Sequence, residues 1–192
     1  MKNITDLYLK GKRVLIRVDF NVPLNEGIVA DDFRVRASLP TIQHCLNEGA
    51  SVVLMSHLGR PKGELVPELS LDPVAFCLEE LLDREVMFSD DCISKDAIEL
   101  SQQMLPGEVH MLENLRFYKG ETDNDPEFSK YLAKHADIYI NDAFGTAHRS
   151  HASNVGVPSL INEMAIGFLM EKELKYLTKT INAPANPCTI IL

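Results

Sequence analysis

The stretch Ser51 to Glu64, SVVLMSHLGRPKGE, joins an apolar run to a basic loop without a break. The run SVVLMS is short and rich in branched side chains, which is typical of a buried strand. Histidine, arginine and lysine follow at once, held between glycines and a proline. Because loops on a rigid scaffold carry most binding residues, we expect this strand to feed a ligand site.

The same alternation of strand and helix continues on both sides of this stretch. Mostly parallel sheets covered by helices on both faces have this pattern. Pro40 interrupts the first helical pattern, so we expect that helix to begin between residues 36 and 38. The sequence predicts an α/β three-layer sandwich of the Rossmann-like type. Strands are predicted at residues 13–18, 51–56, 85–88, 108–112, 138–140 and 188–192, and helices at about 36–49, 72–83, 95–102, 125–134 and 171–180.

Composition and charge limit the classes of function. The chain has 192 residues, 45% of them hydrophobic and 24% charged, as in ordinary globular proteins. Its net charge of -9 argues against nucleic acid or an anionic membrane as partner. The 4 cysteines show no CxxC spacing, and we see no secretory signal or membrane-spanning run. We expect core cysteines in a cytoplasmic protein.

Polar side chains cluster after the predicted strands. Ligands of an open parallel sheet collect beyond the carboxyl ends of its strands. An arginine forms paired hydrogen bonds to carboxylate or phosphate, so arginines that converge there predict a site for a small, multiply charged anion. The candidates are Asp19, Asn21 and Arg34 after the first strand, His57 and Arg60 after the second, Arg116 after the fourth, and His148, Arg149 and His151 after the fifth.

Other polar groups have simpler explanations. Asp19 could pair with Arg17 instead of meeting a ligand. The acidic stretches at residues 31–32 and 123–125 are typical of turns and helix caps, and no metal-ligand set is evident. We expect His148 and His151 to hydrogen-bond to ligand or backbone, and no chemistry from the other histidines apart from His57.

Several motifs make the chain resemble the N-terminal half of the phosphoglycerate kinases, in order and over almost its whole length. They are RVDFNVPL at residues 17–24, FRVRASLPTI at 33–42, SHLGRPKGE at 56–64, LENLRFYKGE at 112–121 and NDAFGTAHRSHAS at 141–153. The resemblance implies a 3-phosphoglycerate site. Its residues would be Asp19, Asn21, Arg34, His57, Arg60, Arg116 and Arg149, and Arg34 would also be catalytic by stabilising the phosphoryl group in transfer.

The same resemblance implies a division of the chain and a set of partners. Residues 1–170 would form the substrate-binding domain, 171–187 a hinge helix and linker, and 188–192 the start of a nucleotide-binding domain. That second domain would hold most of magnesium-ATP or ADP, so no metal or cofactor residue is expected here. The full-length kinase would be a cytoplasmic monomer of glycolysis, and this half alone would be inactive.

Two other classes remain open from the residues alone. A non-catalytic module could recognise phosphorylated or carboxylated metabolites through the same arginines. A dinucleotide-binding domain would have a similar fold, but no GxGxxG motif follows the first predicted strand. A structural protein would leave the clustered arginines unexplained.

Overall fold

The apolar run at residues 51–55 lies at the centre of a parallel sheet in the computed structural model, which describes residues 2–182. The sheet has six strands, which lie in the spatial order 86–89, 109–112, 51–55, 13–17, 138–141 and 163–166. Every pair in it is parallel, so the carboxyl ends of all strands share one edge. The strands are β1 (Arg13–Arg17), β4 (Ser51–Met55), β5 (Val86–Ser89), β6 (Val109–Leu112), β7 (Ile138–Asn141) and β8 (Glu163–Ile166), and a separate hairpin pairs β2 (Leu24–Asn25) with β3 (Ile28–Val29).

Alternate residues of the central strands face two hydrophobic clusters, one on each side of the sheet. Val14 and Ile16 belong to the first cluster and Leu15 to the second. The three-layer α/β prediction is therefore confirmed. Helices α1 (Phe33–Asn47) and α2 (Asp72–Leu82) pack on the first face and α5 (Pro126–Ala133) on the second, and the chain also forms α3 (Lys95–Gln103), α4 (Lys119–Thr122) and α6 (Phe168–Asn182).

The start of α1 differs from the prediction. The helix begins at Phe33, and Pro40 lies inside it. The first turn is secured because the Phe33 N–H donates to the Asp31 carboxylate over 2.9 Å and the Arg36 N–H to the Asp32 carbonyl over 2.9 Å. These bonds and the burial of one helix face outweigh the single hydrogen bond that a proline removes. Arg34 therefore lies in the first turn of α1.

Other boundaries show smaller differences. The hairpin and β8 were not predicted. The hairpin strands have two residues each, and β8 begins with two exposed residues, so neither forms a distinct apolar run. Helix α6 extends past both ends of the predicted segment 171–180. The predicted strand at 188–192 lies outside the described residues. Within residues 2–182, no helix has the length and apolarity needed to cross a bilayer.

The cysteines behave as small hydrophobic residues where they are described. Cys45 and Cys92 are fully buried, one in each hydrophobic cluster, and Cys77 is half-buried. All of these thiols are free, and burial raises the pKa of each, which makes the thiolate scarce. Cys188 lies outside the described residues.

Candidate functional site

The polar side chains predicted from the strand ends gather in one pocket at the carboxyl edge of the sheet. The pocket has a volume of about 250 Å³. His148 does not line it, and His151 lines an adjoining basic depression. The lining residues are Asp19, Asn21, Arg34, His57, Gly59, Arg60, Arg116, Gly145, Thr146 and Arg149.

Buried amides and hydroxyls hold the loops of the pocket together. The Ser56 hydroxyl donates to the Val18 carbonyl over 2.9 Å, which ties the loop after β4 to the loop after β1. The buried Asn114 amide donates to the Leu58 carbonyl over 2.8 Å and fixes the same loop from the β6 side. Such bonds are strong in a buried setting and leave little freedom to the backbone.

Two glycines shape the loop after β4 and let it pack closely against the neighbouring loops. Gly59 has a φ of +62° and Gly63 a φ of +82°, a region that other residues rarely adopt. The Gly59 N–H donates to the Asn21 side-chain oxygen over 2.9 Å, and its carbonyl accepts from the Arg116 guanidinium over 2.7 Å. The loop therefore orients Asn21 and Arg116 toward the pocket.

The pocket holds positive charge without matching carboxylates. Arg60, Arg116 and Arg149 form no ion pair within residues 2–182. Arg116 is half-buried, and its burial together with the nearby Arg17 and Arg149 lowers the pKa of its guanidinium. Like charges held together in this way favour an anion as their common partner.

Asp19 is the carboxylate that lines this pocket, and its ion-pair partner is not the one considered from the sequence. Asp19 forms an ion pair with Arg34, not with Arg17. The Arg34 side chain remains half exposed at the pocket, while the Asp19 side chain is 14% exposed. A carboxylate so placed can accept a hydrogen bond from a ligand hydroxyl.

His57 lies beneath the arginines as a neutral group. It is almost fully buried, and its Nδ1 is 3.1 Å from the Nη2 atom of Arg17. Burial and the charge of Arg17 lower the pKa of His57 to about 2. His57 is therefore neutral at physiological pH.

A buried carboxylate supports the site from below. Glu121 accepts from the Ser153 hydroxyl over 2.6 Å and from the Ser153 N–H over 2.9 Å. Burial acts to raise the pKa of Glu121, but His151, Arg17 and Ser153 outweigh it and lower that pKa. Glu121 is therefore ionised beside the buried Arg17.

Several residues of this region were not predicted from the sequence. Gly145 and Thr146 line the pocket, and Arg17, Glu121 and Ser153 support it. The presence of Arg17 and Glu121 in the recognisable motifs was a signal, but nothing local distinguishes a buried charge from an exposed one.

Asp31 and Asp125 accept backbone hydrogen bonds at helix starts, which confirms their capping role. No group of three metal-binding side chains occurs among the described residues.

Fold and site together define an α/β domain with a cationic pocket, suited to a small anion, at the carboxyl edge of a parallel sheet. The family model for phosphoglycerate kinase matches residues 4–192, and the chain belongs to the phosphoglycerate kinase family.

Individual relatives agree with this assignment. The phosphoglycerate kinase of Clostridium novyi is 50% identical over 100% of this chain and 48% of its own length. That of Thermosipho africanus is 53% identical over 98% of this chain and 47% of its own length. The crystal structure of phosphoglycerate kinase from Pyrococcus horikoshii matches 97% of this chain and 47% of its own chain, with a TM-score of 0.87 and 37% sequence identity. The chain thus spans about half the length of the curated relatives that it matches.

Proposed function

We propose that this chain binds 3-phosphoglycerate and forms the acid-substrate half of a phosphoglycerate kinase. The full enzyme would transfer a phosphoryl group reversibly between ATP and 3-phospho-D-glycerate, giving ADP and 1,3-bisphosphoglycerate in glycolysis. The observation that carries the proposal is that Arg60, Arg116 and Arg149, around a pocket of about 250 Å³, have no carboxylate partner within residues 2–182. A ligand with a phosphate and a carboxylate would neutralise them.

Each part of the pocket suits one part of this substrate. Arg60, Arg116 and Arg149 would bind the phosphate, and His57 would donate one further hydrogen bond. Asp19 and Asn21 would bind the glycerate hydroxyl, since a carboxylate accepts and an amide can do both. These residues belong to the set that the motifs imply for the site.

The chemistry asks little of the protein beyond position and charge. The substrate carboxylate would attack the terminal phosphorus of ATP, so no nucleophilic side chain is required. Arg34 is half exposed at the pocket edge, where it could meet the negative charge of the phosphoryl group in transfer. We therefore assign Arg34 as the catalytic residue.

Magnesium-ATP is assigned to another part of the enzyme. The cations of the pocket would repel Mg²⁺, which binds to oxygen ligands such as carboxylates. We retain residues 1–170 as the substrate domain and 171–187 as the connection to a nucleotide domain. Helix α6 fits that role, because Tyr176 and Ile181 on it are exposed apolar side chains. Free cysteines agree with a cytoplasmic location, and a monomer is proposed for the whole enzyme.

Calorimetric titration of this chain at low salt tests the proposal. 3-Phosphoglycerate should bind with one site, and magnesium-ATP should bind far more weakly. Arg60→Met and Arg149→Met should each weaken the first ligand by about tenfold to a hundredfold, the value of one charged hydrogen bond. Arg84→Met is the matched control, because Arg84 is exposed and precedes β5 at the opposite edge of the sheet.

Equal affinity for both ligands would indicate a general anion site and favour a binding module over a kinase half. An effect of Arg84→Met as large as that of Arg60→Met would show that net charge, and not the pocket, determines binding.

A further inference from the structure

Arg17 is a charged residue at the end of β1 that cannot touch a ligand in the pocket. Its side chain is fully buried. The guanidinium donates to the Ser153 hydroxyl over 3.0 Å, to the Val18 carbonyl, and to His57 Nδ1 over 3.1 Å. Any effect of Arg17 on the site must therefore pass through one of these partners.

The contact with His57 determines which ring nitrogen carries the proton. A guanidinium has donors only and stays protonated, so His57 Nδ1 must be the unprotonated acceptor. The neutral imidazole then carries its hydrogen on Nε2. His57 lines the pocket, and its Nε2 makes no hydrogen bond to any residue in the range 2–182. The Nε2–H is left available to a ligand.

A buried counter-charge keeps Arg17 in place. The Ser153 hydroxyl donates to Glu121 over 2.6 Å, and its oxygen therefore accepts from Arg17. The positive charge of Arg17 is thus balanced by Glu121 through one hydroxyl. Removal of either charge alone would leave the other buried without compensation, which is a large cost.

We propose that Arg17 is a positioning residue that holds His57 as the neutral Nε2–H tautomer, so that His57 gives the bound anion one oriented hydrogen bond and no titratable charge. The identity of that anion as 3-phosphoglycerate rests on the proposed function. The arginines that line the pocket then supply all of the positive charge, and anion affinity does not depend on the protonation of His57.

The surroundings of His57 favour the same neutral form from several elements. Cations outnumber carboxylates around the ring, and each cation disfavours an imidazolium there. The charged and titratable groups that face it are Arg17 of β1, Asp19 after β1, Arg34 of α1, Arg60 after β4, Arg116 after β6, and Arg149 and His151 after β7.

The first test uses the unaltered chain without ligand. Two-dimensional long-range proton–nitrogen spectra distinguish the two neutral tautomers and the imidazolium of each histidine, and His57→Gln assigns the His57 signals. The expected result is the Nε2–H tautomer from pH 8 to pH 5, with no titration of His57. An Nδ1–H tautomer, or protonation near the ordinary histidine pKa of about 6.5, would overturn the proposal.

The second test compares 3-phosphoglycerate binding by wild type, Arg17→Met and Arg17→Met/His57→Gln between pH 8 and pH 6. Ionisation of the ligand is common to all three proteins and cancels in their ratios. Arg17→Met should bind about tenfold more weakly at pH 8, the value of one lost hydrogen bond. Because His57 stays buried beside the remaining arginines, this loss should be the same at pH 6. Spectra of Arg17→Met should show part of His57 as the Nδ1–H tautomer, and the double variant should bind about as weakly as Arg17→Met. An affinity of Arg17→Met equal to that of wild type, or an unchanged Nε2–H tautomer in Arg17→Met, would refute the role.

Folding and function can be separated in this design. If Arg17→Met does not fold, Arg17→Met/Glu121→Gln removes both buried charges and enters the same comparison. If wild type fails to bind 3-phosphoglycerate, the proposed function fails, and inorganic sulfate becomes the probe anion for the pH comparison. The tautomer of His57 in the wild-type spectrum decides the inference in either case.

Discussion

Substitution of Ser101 by alanine should destabilise the fold strongly although it removes a single oxygen atom. Ser101 lies on α3 and is fully buried. Its hydroxyl is 2.8 Å from His110 Nδ1 and 2.6 Å from His135 Nδ1. The outer nitrogens are also paired, His110 Nε2 with the Ser89 hydroxyl at 2.8 Å and His135 Nε2 with the Cys92 carbonyl at 3.1 Å.

The donor and the acceptor in each of these hydrogen bonds follow from one group, the Cys92 carbonyl. The Cys92 carbonyl can only accept, so His135 carries its hydrogen on Nε2 and accepts at Nδ1 from the Ser101 hydroxyl. The Ser101 oxygen must then accept from His110 Nδ1–H. His110 Nε2 in turn accepts from the Ser89 hydroxyl. All of these bonds are satisfied when both histidines are neutral.

The magnitude of the effect follows from what alanine leaves behind. Two hydrogen bonds of about 1 kcal/mol each are lost, and a buried N–H of His110 remains unsatisfied at a cost of about 1–3 kcal/mol. The change removes almost no apolar contact. We expect Ser101→Ala to lower the free energy of unfolding by about 3 kcal/mol.

Urea unfolding at pH 7.5, followed by circular dichroism, measures this loss. The denaturant slope should not change, because the same surface is exposed on unfolding. Ser159→Ala is the control, since its exposed hydroxyl also donates to a backbone carbonyl, that of Gly156. The control should stay within about 0.5 kcal/mol of wild type. A loss for Ser101→Ala no larger than that of the control would refute the hydrogen-bonded chain.

Three further predictions concern acid stability and the loops of the site. Burial lowers the pKa of His110 to about 3 and that of His135 to about 4. Below about pH 6.5 the folded state thus binds fewer protons than the unfolded chain. Between that pH and its folded pKa, each histidine should lower the free energy of unfolding by up to about 1.4 kcal/mol per pH unit. Urea unfolding measured as a function of pH would show this loss. Gly63→Ala would place a Cβ 2.2 Å from the Lys119 side chain, at a backbone φ of +82°. The urea midpoint of unfolding should fall by the equivalent of about 1–3 kcal/mol. An unchanged midpoint would contradict the close approach. Asn114→Ala removes the buried amide that fixes the basic loop. The free energy of unfolding in urea should fall by about 3 kcal/mol, and 3-phosphoglycerate should bind more weakly in calorimetry. Unchanged affinity would show that the loop holds its shape without the amide.

The sequence predicted the fold well where the signal was local. The apolar runs at β1 and β4 are strands because branched side chains are clustered there, and the alternation with helices implies a parallel sheet. The rule that ligands collect at the carboxyl ends of strands then brought the arginines to one edge. Pro40 misled the prediction for α1, because local propensity cannot register the burial of a helix face.

The sequence by itself thus determined most of the charged side chains that reach the pocket, since that depends on where each strand ends, although His148 does not line it and Thr146 does. Only the tertiary structure decided their charges and partners. Asp19 pairs with Arg34, and Arg17 is buried against His57, 40 residues away along the chain. A protonation state depends on burial and on distances between groups from different elements, and neither quantity is encoded in short-range pattern.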